Sequence, residues 1–255
     1  MLSANGLVNY FGKWVDLTKI NISPILLKKG TTQLALYGLS YIHDNRLARL
    51  FLEYKVVFEQ PSEETGQWFN LFVCHQNRAD RGPKNFLPED ILPDFLHLIL
   101  WGHEHDCRIV PEENSKKPYY ICQPGSSVAT SLCEGEAIDK HIGLLEIEGE
   151  NFRVLPIKLK TVRPFIFDTI NLSTITEDIK GDHNPSVKIQ TMIGEKISTM
   201  IELSKEKLTG DPNQPTEPLI RLRVLYTDED HMFNFIRFGQ QYKDQVINFY
   251  IVLFN

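Results

Sequence analysis

Short apolar runs that end abruptly in polar residues recur along the chain. The run FNLFVC leads into His75, and the run FLHLILW leads into Gly102. Apolar runs bounded by turn residues predict buried strands, and ligands in α/β proteins gather where parallel strands end. The pattern therefore predicts that His75, His103 and His105 meet at one edge of a sheet.

The remaining pattern predicts strands that alternate with helices. We expect strands at 20–27, 32–38, 56–58, 108–110, 119–123, 141–147, 152–159 and 219–226, and helices at 45–53 and 186–208. Asp44 and Asn184 are the expected helix caps, and the glycines within residues 1–13 suggest the end of a helix. The alternation indicates an α/β fold with α+β layers.

The character of the chain changes after Lys160, which predicts a first domain at 1–160 and a smaller α+β domain at 161–255. In the predicted strand 219–226, apolar residues alternate with Arg221 and Arg223. Successive side chains of a strand point to opposite faces. One face is therefore apolar and the other carries two guanidinium groups.

Composition limits the classes of partner. The 255 residues are 42% hydrophobic and 24% charged, as in soluble globular proteins, and the net charge of -6 gives no overall attraction to nucleic acid or anionic membranes. Phosphate binding would need local basic patches or a metal. The cysteines form no CxxC pair, and the first residues do not resemble a signal peptide, which favours cytosol or nucleus. No apolar run reaches the roughly 18 residues of a membrane span, so we expect no membrane partner.

The tract GHEHD suggests a metal site. In an extended segment His103 and His105 point the same way while Glu104 points away, and Gly102 allows a sharp turn after the strand. Neutral imidazole is a common transition-metal ligand. The alternative is a pair of surface histidines at a strand end. The other histidines have no such context and are expected to be structural or solvated: His43, His97, His141, His183 and His231.

Four tracts, FNLFVCHQNR, ILWGHEHDCRI, YICQPGSSVATSL and GEAIDKHIGLLEI, resemble the eukaryotic meiotic recombination nuclease of double-strand-break repair. That family is part of the calcineurin-like metallophosphoesterase superfamily. The resemblance runs from about Gly6 to about Ile247. It implies that 1–160 is the C-terminal part of a β-sandwich nuclease core flanked by helices, and that 161–255 is a DNA-binding capping domain that is incomplete at its end. The family's upstream motifs, which supply the bridging carboxylate, would precede this segment, so we expect an incomplete gene model or a truncated product.

The resemblance also implies a site with two Mn²⁺ ions. His75 and His103 would bind one ion and His105 the other. Substrate would lie near five residues: Gln76, Asn77, Arg78, Gly125 and Ser126. Seven basic residues are candidates for contacts to the DNA backbone, without sequence specificity, and the alternative for each is ordinary solvated charge: Arg81, Lys84, Lys158, Lys160, Arg163, Arg221 and Arg223.

Three functions remain open at this point. The first is a manganese-dependent endonuclease and exonuclease that acts on DNA ends in the nucleus. By resemblance, its partners would be an SMC-like ATPase, a nibrin-type subunit and a second copy in a homodimer. The second is a fragment without catalysis that binds DNA or a partner, and the third is a metallophosphoesterase of small phosphodiesters. If strands of the sheet are missing, an open edge and an uncovered apolar face would make the chain poorly soluble.

Overall fold

A six-stranded mixed sheet organises the first of two compact units, which comprises Met1–Ser126 and His141–Ile157. The computed structural model describes residues 2–61, 67–82, 84–175, 185–226, 233–248 and 253–254. The elements of the first unit are β1 (Ile20–Ile22), β2 (Ile25–Lys29), β3 (Thr32–Leu39), α1 (Asp44–Leu52), β4 (Val56–Phe58), β5 (Phe69–His75), β6 (Leu98–Gly102), β7 (Arg108–Glu113), β8 (Tyr120–Gln123), β9 (His141–Glu148) and β10 (Asn151–Lys158), with a 3₁₀ turn at Glu89–Ile91.

The order of strands in this sheet is β2, β3, β5, β6, β8, β7. The four central strands run parallel, while β2 and β7 are antiparallel to their neighbours. The carboxyl ends of the parallel strands therefore share one edge, where an α/β sheet commonly holds its ligand. β1 pairs with β4, and β9 pairs with β10, in separate two-stranded sheets.

Both faces of the six-stranded sheet are covered because alternate side chains of each strand point to opposite sides. On one face Phe72 and Trp101 pack with Leu47 of α1. On the other face Phe69 and Leu98 pack with apolar residues of β9 and β10. The sheet is thus the middle layer of an α/β arrangement, as the alternation of strands and helices predicts.

The outer strand β2 pairs with β3 on one side and with no other described strand. Ile25, Leu26 and Leu27 of this strand are exposed. An exposed apolar edge strand invites pairing with other chains. The predicted open edge is therefore present, but the predicted uncovered apolar face is not found among the described residues, because both faces of this sheet are packed. The poor solubility expected from these features remains a prediction.

The second unit comprises Ser127–Lys140 and Lys158–Asn255. Its elements are β11 (Phe165–Asn171), α2 (Pro185–Glu206), β12 (Leu219–Leu225), α3 (Phe235–Gly239) and β13 (Leu253–Phe254), with 3₁₀ turns at Glu134–Glu136, Leu172–Ile175 and Gln240–Tyr242. The three strands are parallel, with β12 in the middle. Buried Ile193 and Met200 of α2 pack with Leu222 of β12, which confirms the apolar face predicted for this strand.

Three predictions about local structure are wrong. Residues 2–7 form hydrogen-bonded turns rather than a helix end, since Gly6 N donates to Ser3 O. The strand expected at 20–27 is two strands in different sheets, because Pro24 has no N–H with which to continue a ladder. Asp44 does not cap α1; His43 occupies the cap position and Asp44 begins the helix. The cap predicted at Asn184 lies outside the described residues.

The segment Ser127–Lys140 belongs with the second unit, although the predicted boundary placed it in the first domain. Arg221 donates to the carbonyls of Ser131 and Leu132, at 3.2 and 2.8 Å. The ammonium group of Lys207 donates to the carbonyl of Ala137 at 2.6 Å. These long-range hydrogen bonds connect the segment with β12 and with the residue after α2. No local sequence pattern predicts them.

Two of the remaining histidines have contacts inside the first unit. His97 Nδ1 accepts the backbone N–H of Asn70 at 2.9 Å, and burial lowers the pKa of His97. His141 Nδ1 lies 3.8 Å from the Cys107 sulfur. His43 precedes α1, whereas His183 and His231 lie outside the described residues. The structure thus gives His97 a structural role, as predicted.

Candidate metal centre

His75 and His103 meet at the carboxyl edge of the six-stranded sheet. β5 and β6 are parallel, and His75 is in register with Gly102, so His103 follows directly beside His75. His75 Nε2 and His103 Nδ1 are 3.3 Å apart, and the ring planes lie at 81°. Two nitrogen ligands about 2.1 Å from one ion would be roughly 3.0 to 3.4 Å apart. The spacing of the two nitrogen atoms therefore matches that of two ligands of one divalent ion.

The sharp turn after β6 lies at His103, which has a φ of 86°. The expectation of an extended HEH segment that turns at Gly102 is therefore wrong. Gly102 has a different importance: a Cβ there would lie 2.9 Å from His75 Nδ1. The glycine makes room for the imidazole of the neighbouring strand.

Aromatic and charged neighbours surround the two imidazoles. The Tyr41 ring stacks on the His103 ring, with 6.2 Å between the ring centroids. It meets the His75 ring edge-on, with a centroid distance of 6.4 Å. Burial, followed by the charges of His103 and His105, lowers the pKa of His75. His105 is therefore near enough to act electrostatically on His75. All three predicted ligands belong to one end of the sheet.

Glu104 joins the two loops that follow β5 and β6. One of its carboxylate oxygens accepts the backbone N–H groups of Arg78, at 2.7 Å, and Ala79, at 3.0 Å. The other oxygen is 3.6 Å from the guanidinium group of Arg81, and the Glu104 side chain is 11% exposed. Burial raises the pKa of Glu104, but the two backbone hydrogen bonds and the charges of Arg81 and His103 together outweigh it, so the pKa lies below its usual value.

Gln76 and Asn77 bind the start of α1. The Gln76 amide donates to Ile42 O, at 2.6 Å, and to Asp44 Oδ1, at 2.7 Å, and it accepts Ile42 N–H at 3.0 Å. Asn77 Nδ2 donates to Asp44 Oδ2 at 2.6 Å. Gln76 is fully buried, and its side chain connects the end of β5 with the start of α1. Its predicted contact with substrate remains a prediction that this placement does not favour.

Arg78 is engaged by acidic and amide groups of its own unit. Its guanidinium group donates to Glu89 at 2.7 Å, to Gln123 at 2.9 Å and to Glu112 at 3.2 Å. Its side chain is 11% exposed. Two carboxylates therefore balance its charge in this arrangement, and a contact with substrate would compete with them.

Gly125 and Ser126 lie against the backbone that follows β6. Gly125 has a φ of 71°, and a Cβ there would lie 2.7 Å from the carbonyl oxygens of His105 and Asp106. Ser126 N donates to His105 O at 3.1 Å. The close backbone approach that the sequence predicts at Gly125 is confirmed, and it places both residues beside His105.

The residues present fit a divalent metal ion only in part. His75 and His103 supply two converging nitrogen atoms, but two imidazoles alone do not select manganese, which prefers carboxylate and other oxygen ligands. Across the part of the chain that the structure describes, no group of three or more His, Cys, Asp or Glu side chains could hold a metal ion. Manganese therefore rests on the family resemblance.

The two basic candidates of the first unit are exposed. Arg81 is 59% exposed and lies 3.6 Å from Glu104. Lys84 is exposed and has a φ of 66°. Both belong to the loop after His75, where their side chains are exposed to solvent.

The basic candidates of the second unit differ in their contacts with other groups of the protein. Lys158 pairs with Asp139 at 2.6 Å, and Arg223 lies over the Phe167 ring at 5.0 Å. Arg221 binds carbonyls of the segment Ser127–Lys140, and Arg163 donates to Glu217 O. Lys160 is exposed. Arg221 therefore has a structural task within the unit in addition to any contact with DNA.

Sequence reasoning missed several residues that shape the centre: Tyr41, Asp44, Glu104 and Gln123. Tyr41 follows the end of β3, and Gln123 ends β8, so position at the carboxyl edge was the available signal. Gln123 Nε2 donates to Asp106 Oδ1 at 2.7 Å.

The fold and the histidine pair define an α/β protein with a candidate metal centre, and residues 152–255 match the family model described as the Mre11 DNA-binding presumed domain. Over 250 residues, 97% of this chain, it is 47% identical to the double-strand break repair protein MRE11 of Homo sapiens and 46% identical to that of Gallus gallus. It is 42% identical over 269 residues to double-strand break repair protein mre-11 of Caenorhabditis elegans. The chain belongs to the MRE11 family. It spans 35% of the human relative's length.

In the described part of the chain, no helix has the length and apolar character needed to cross a membrane.

Proposed function

We propose that the chain is part of a manganese-dependent nuclease of double-strand-break repair, active on DNA ends in the nucleus. The observation that carries the proposal is the pair of imidazoles, 3.3 Å apart, at the carboxyl edge of a parallel sheet. The relatives' names and the match to a DNA-binding domain support the assignment. A metallophosphoesterase core, with the six-stranded sheet as one of its layers, belongs to the same proposal.

The family resemblance suggests roles for the chain's own residues. His75 and His103 would hold one Mn²⁺ and His105 a second, and the ions when bound would activate water and stabilise charge on a phosphodiester. The side chain of Gln76 holds the loop after β5 in place, and Asn77, Arg78 and the backbone at Gly125 and Ser126 would lie near the substrate.

The basic residues would contact the DNA backbone rather than the bases. Lys84 and Lys160 are exposed, so each is placed to neutralise a phosphate, and such contacts carry no sequence information. The net charge of -6 requires that the attraction be local. An SMC-like ATPase, a nibrin-type subunit and a second copy of the protein are proposed partners on the basis of family membership.

A specific observation favours a second candidate, a chain that binds DNA without cutting it. The described residues include no group of three metal-binding side chains, and two-metal hydrolysis needs carboxylates to hold the ions together. A metallophosphoesterase of small phosphodiesters is a third possibility. Its substrate would not require the second unit.

The test is cleavage of an end-labelled DNA duplex by the chain alone and by the chain joined to the additional sequence that its relatives carry. We expect cleavage with Mn²⁺ in the longer protein, loss of it with a chelator, and loss of it after His75→Ala or His103→Ala. Full activity in both variants would refute the ligand assignment. DNA binding without cleavage by the longer protein would favour the second candidate, and preference for a nucleotide diester over duplex ends would favour the third.

A further inference from the structure

The loop after β5 and the turn after β6 leave the sheet side by side. The ladder between these strands ends with His75 opposite Gly102. Beyond that point, no backbone pairing of the sheet fixes the distance between the loop and the turn. The positions of His75 and His103 therefore depend on contacts between the two connecting segments.

Glu104 supplies such a contact. A single carboxylate oxygen of Glu104 accepts two consecutive backbone N–H groups, those of Arg78 and Ala79, at 2.7 and 3.0 Å. The Glu104 side chain is 11% exposed, so water competes little for these hydrogen bonds. Hydrogen bonds to a carboxylate are stronger than those between neutral groups. Glu104 lies between His103 and His105, and its hydrogen bonds connect this turn with the loop that follows His75.

The backbone at the neighbouring residue needs such support. His103 has a φ of 86°, a conformation that residues with a side chain rarely adopt. A strained conformation persists where surrounding contacts hold it in place. The two hydrogen bonds accepted by Glu104 act one residue beyond His103, where they oppose relaxation of the turn.

We propose that Glu104 is a positioning residue of the candidate metal centre, which fixes the separation of the His75 and His103 imidazoles through its hydrogen bonds to Arg78 and Ala79. The inference rests on the proposed function because it assigns a role within the same site. A competing explanation is that the carboxylate acts only by its negative charge, which attracts a cation to the site. The two explanations differ in which substitutions they tolerate.

Three variants of the full chain separate them. Glu104→Gln keeps the accepting oxygen and removes the charge, whereas Glu104→Asp keeps the charge and shortens the side chain by one methylene. Glu104→Ala removes both. Arg81→Ala is the matched control, because it removes the ion pair at the other carboxylate oxygen and leaves the two backbone hydrogen bonds intact.

The first measurement is made without metal, by NMR. We expect the cross-relaxation between the ring protons of His75 and His103 to weaken in the Ala and Asp variants. Amide exchange at Arg78 and Ala79 should accelerate about tenfold, since both N–H groups lose their acceptor. The Arg81 control should match the parent chain, and the Gln variant, whose neutral oxygen still accepts both N–H groups more weakly, should lie much closer to the parent than the Asp variant does. If the Ala variant fails to fold, as its thermal transition would show, the comparison of Gln with Asp decides the question.

The second measurement is a titration with Mn²⁺, followed by paramagnetic broadening of the histidine ring signals. Affinity should fall about tenfold in the Ala and Asp variants and stay near that of the parent in the Gln variant. The proposal is overturned if Asp retains the parent affinity while Gln loses it, or if Ala leaves the ring contact and amide exchange unchanged. A parent chain that binds no Mn²⁺ would instead refute the metal centre, while the metal-free measurement would still test Glu104.

Discussion

Replacing Gln76 with alanine tests whether this residue supports the fold. The substitution removes three hydrogen bonds, two to the backbone of Ile42 and one to Asp44, from a side chain that has no solvent exposure. Each lost hydrogen bond is worth about 1 kcal/mol, and the vacated space adds about 1 to 2 kcal/mol. We therefore expect the free energy of unfolding to fall by about 4 to 5 kcal/mol.

Urea unfolding followed by tryptophan fluorescence is a suitable assay. All three tryptophans, Trp14, Trp68 and Trp101, belong to the first unit, so the signal reports on the unit that contains Gln76. Gln60→Ala is the matched control because Gln60 is exposed, and it should change the free energy by less than about 0.5 kcal/mol. A decrease below about 1 kcal/mol for Gln76→Ala would refute the structural role and return Gln76 to the substrate contacts predicted from the sequence.

Three further substitutions probe the centre, the sheet and the second unit. Gly102→Ala would bring a Cβ to 2.9 Å from His75 Nδ1 and so displace the ring; Mn²⁺ binding measured by titration should weaken about tenfold, and unchanged affinity would contradict this. The pKa of His97 in the folded chain lies below its ordinary value of 6.5, so the unfolded chain takes up the proton first. Stability should be complete above about pH 6.5 and fall as the pH drops towards the lowered pKa; melting curves of His97→Asn should lose this part of the pH dependence. Arg221→Ala removes hydrogen bonds to two carbonyls, so amide exchange around Ser131 should accelerate, whereas equal exchange in both proteins would argue against this contact.

Local patterns of apolar and polar residues were sufficient to predict several strands and the long helix α2. The apolar runs before His75 and Gly102 are strands β5 and β6, and their parallel pairing brings His75 and His103 together. The strand expected at 56–58 has the predicted bounds, and α2 begins and ends within two residues of the prediction. The apolar runs and the residues at their ends are therefore sufficient to predict the location of the candidate centre.

Features that depend on distant contacts could not be predicted in this way. The positive φ of His103 reflects tertiary constraints, because nothing in GHEHD distinguishes it from an extended segment. Gln76 follows a ligand candidate in the sequence, which suggested substrate, but its amide points to Ile42 and Asp44, about thirty residues earlier in the chain. The assignment of Ser127–Lys140 to the second unit likewise depends on Arg221 and Lys207.

The interleaving of the two units along the chain has a consequence for how this protein can vary. The polypeptide passes from one unit to the other three times, after Ser126, after Lys140 and after Ile157. No single break in the gene, whether an exon boundary, a recombination event or an engineered cut, can therefore exchange one unit and leave the other whole. A chimera that takes residues 1–160 from one relative and the remainder from another inherits the segment Ser127–Lys140 from the first and its partners Arg221 and Lys207 from the second. Substitutions in the segment Ser127–Lys140 must remain compatible with Arg221 and Lys207. We therefore expect the two units to be exchanged between relatives only as a whole.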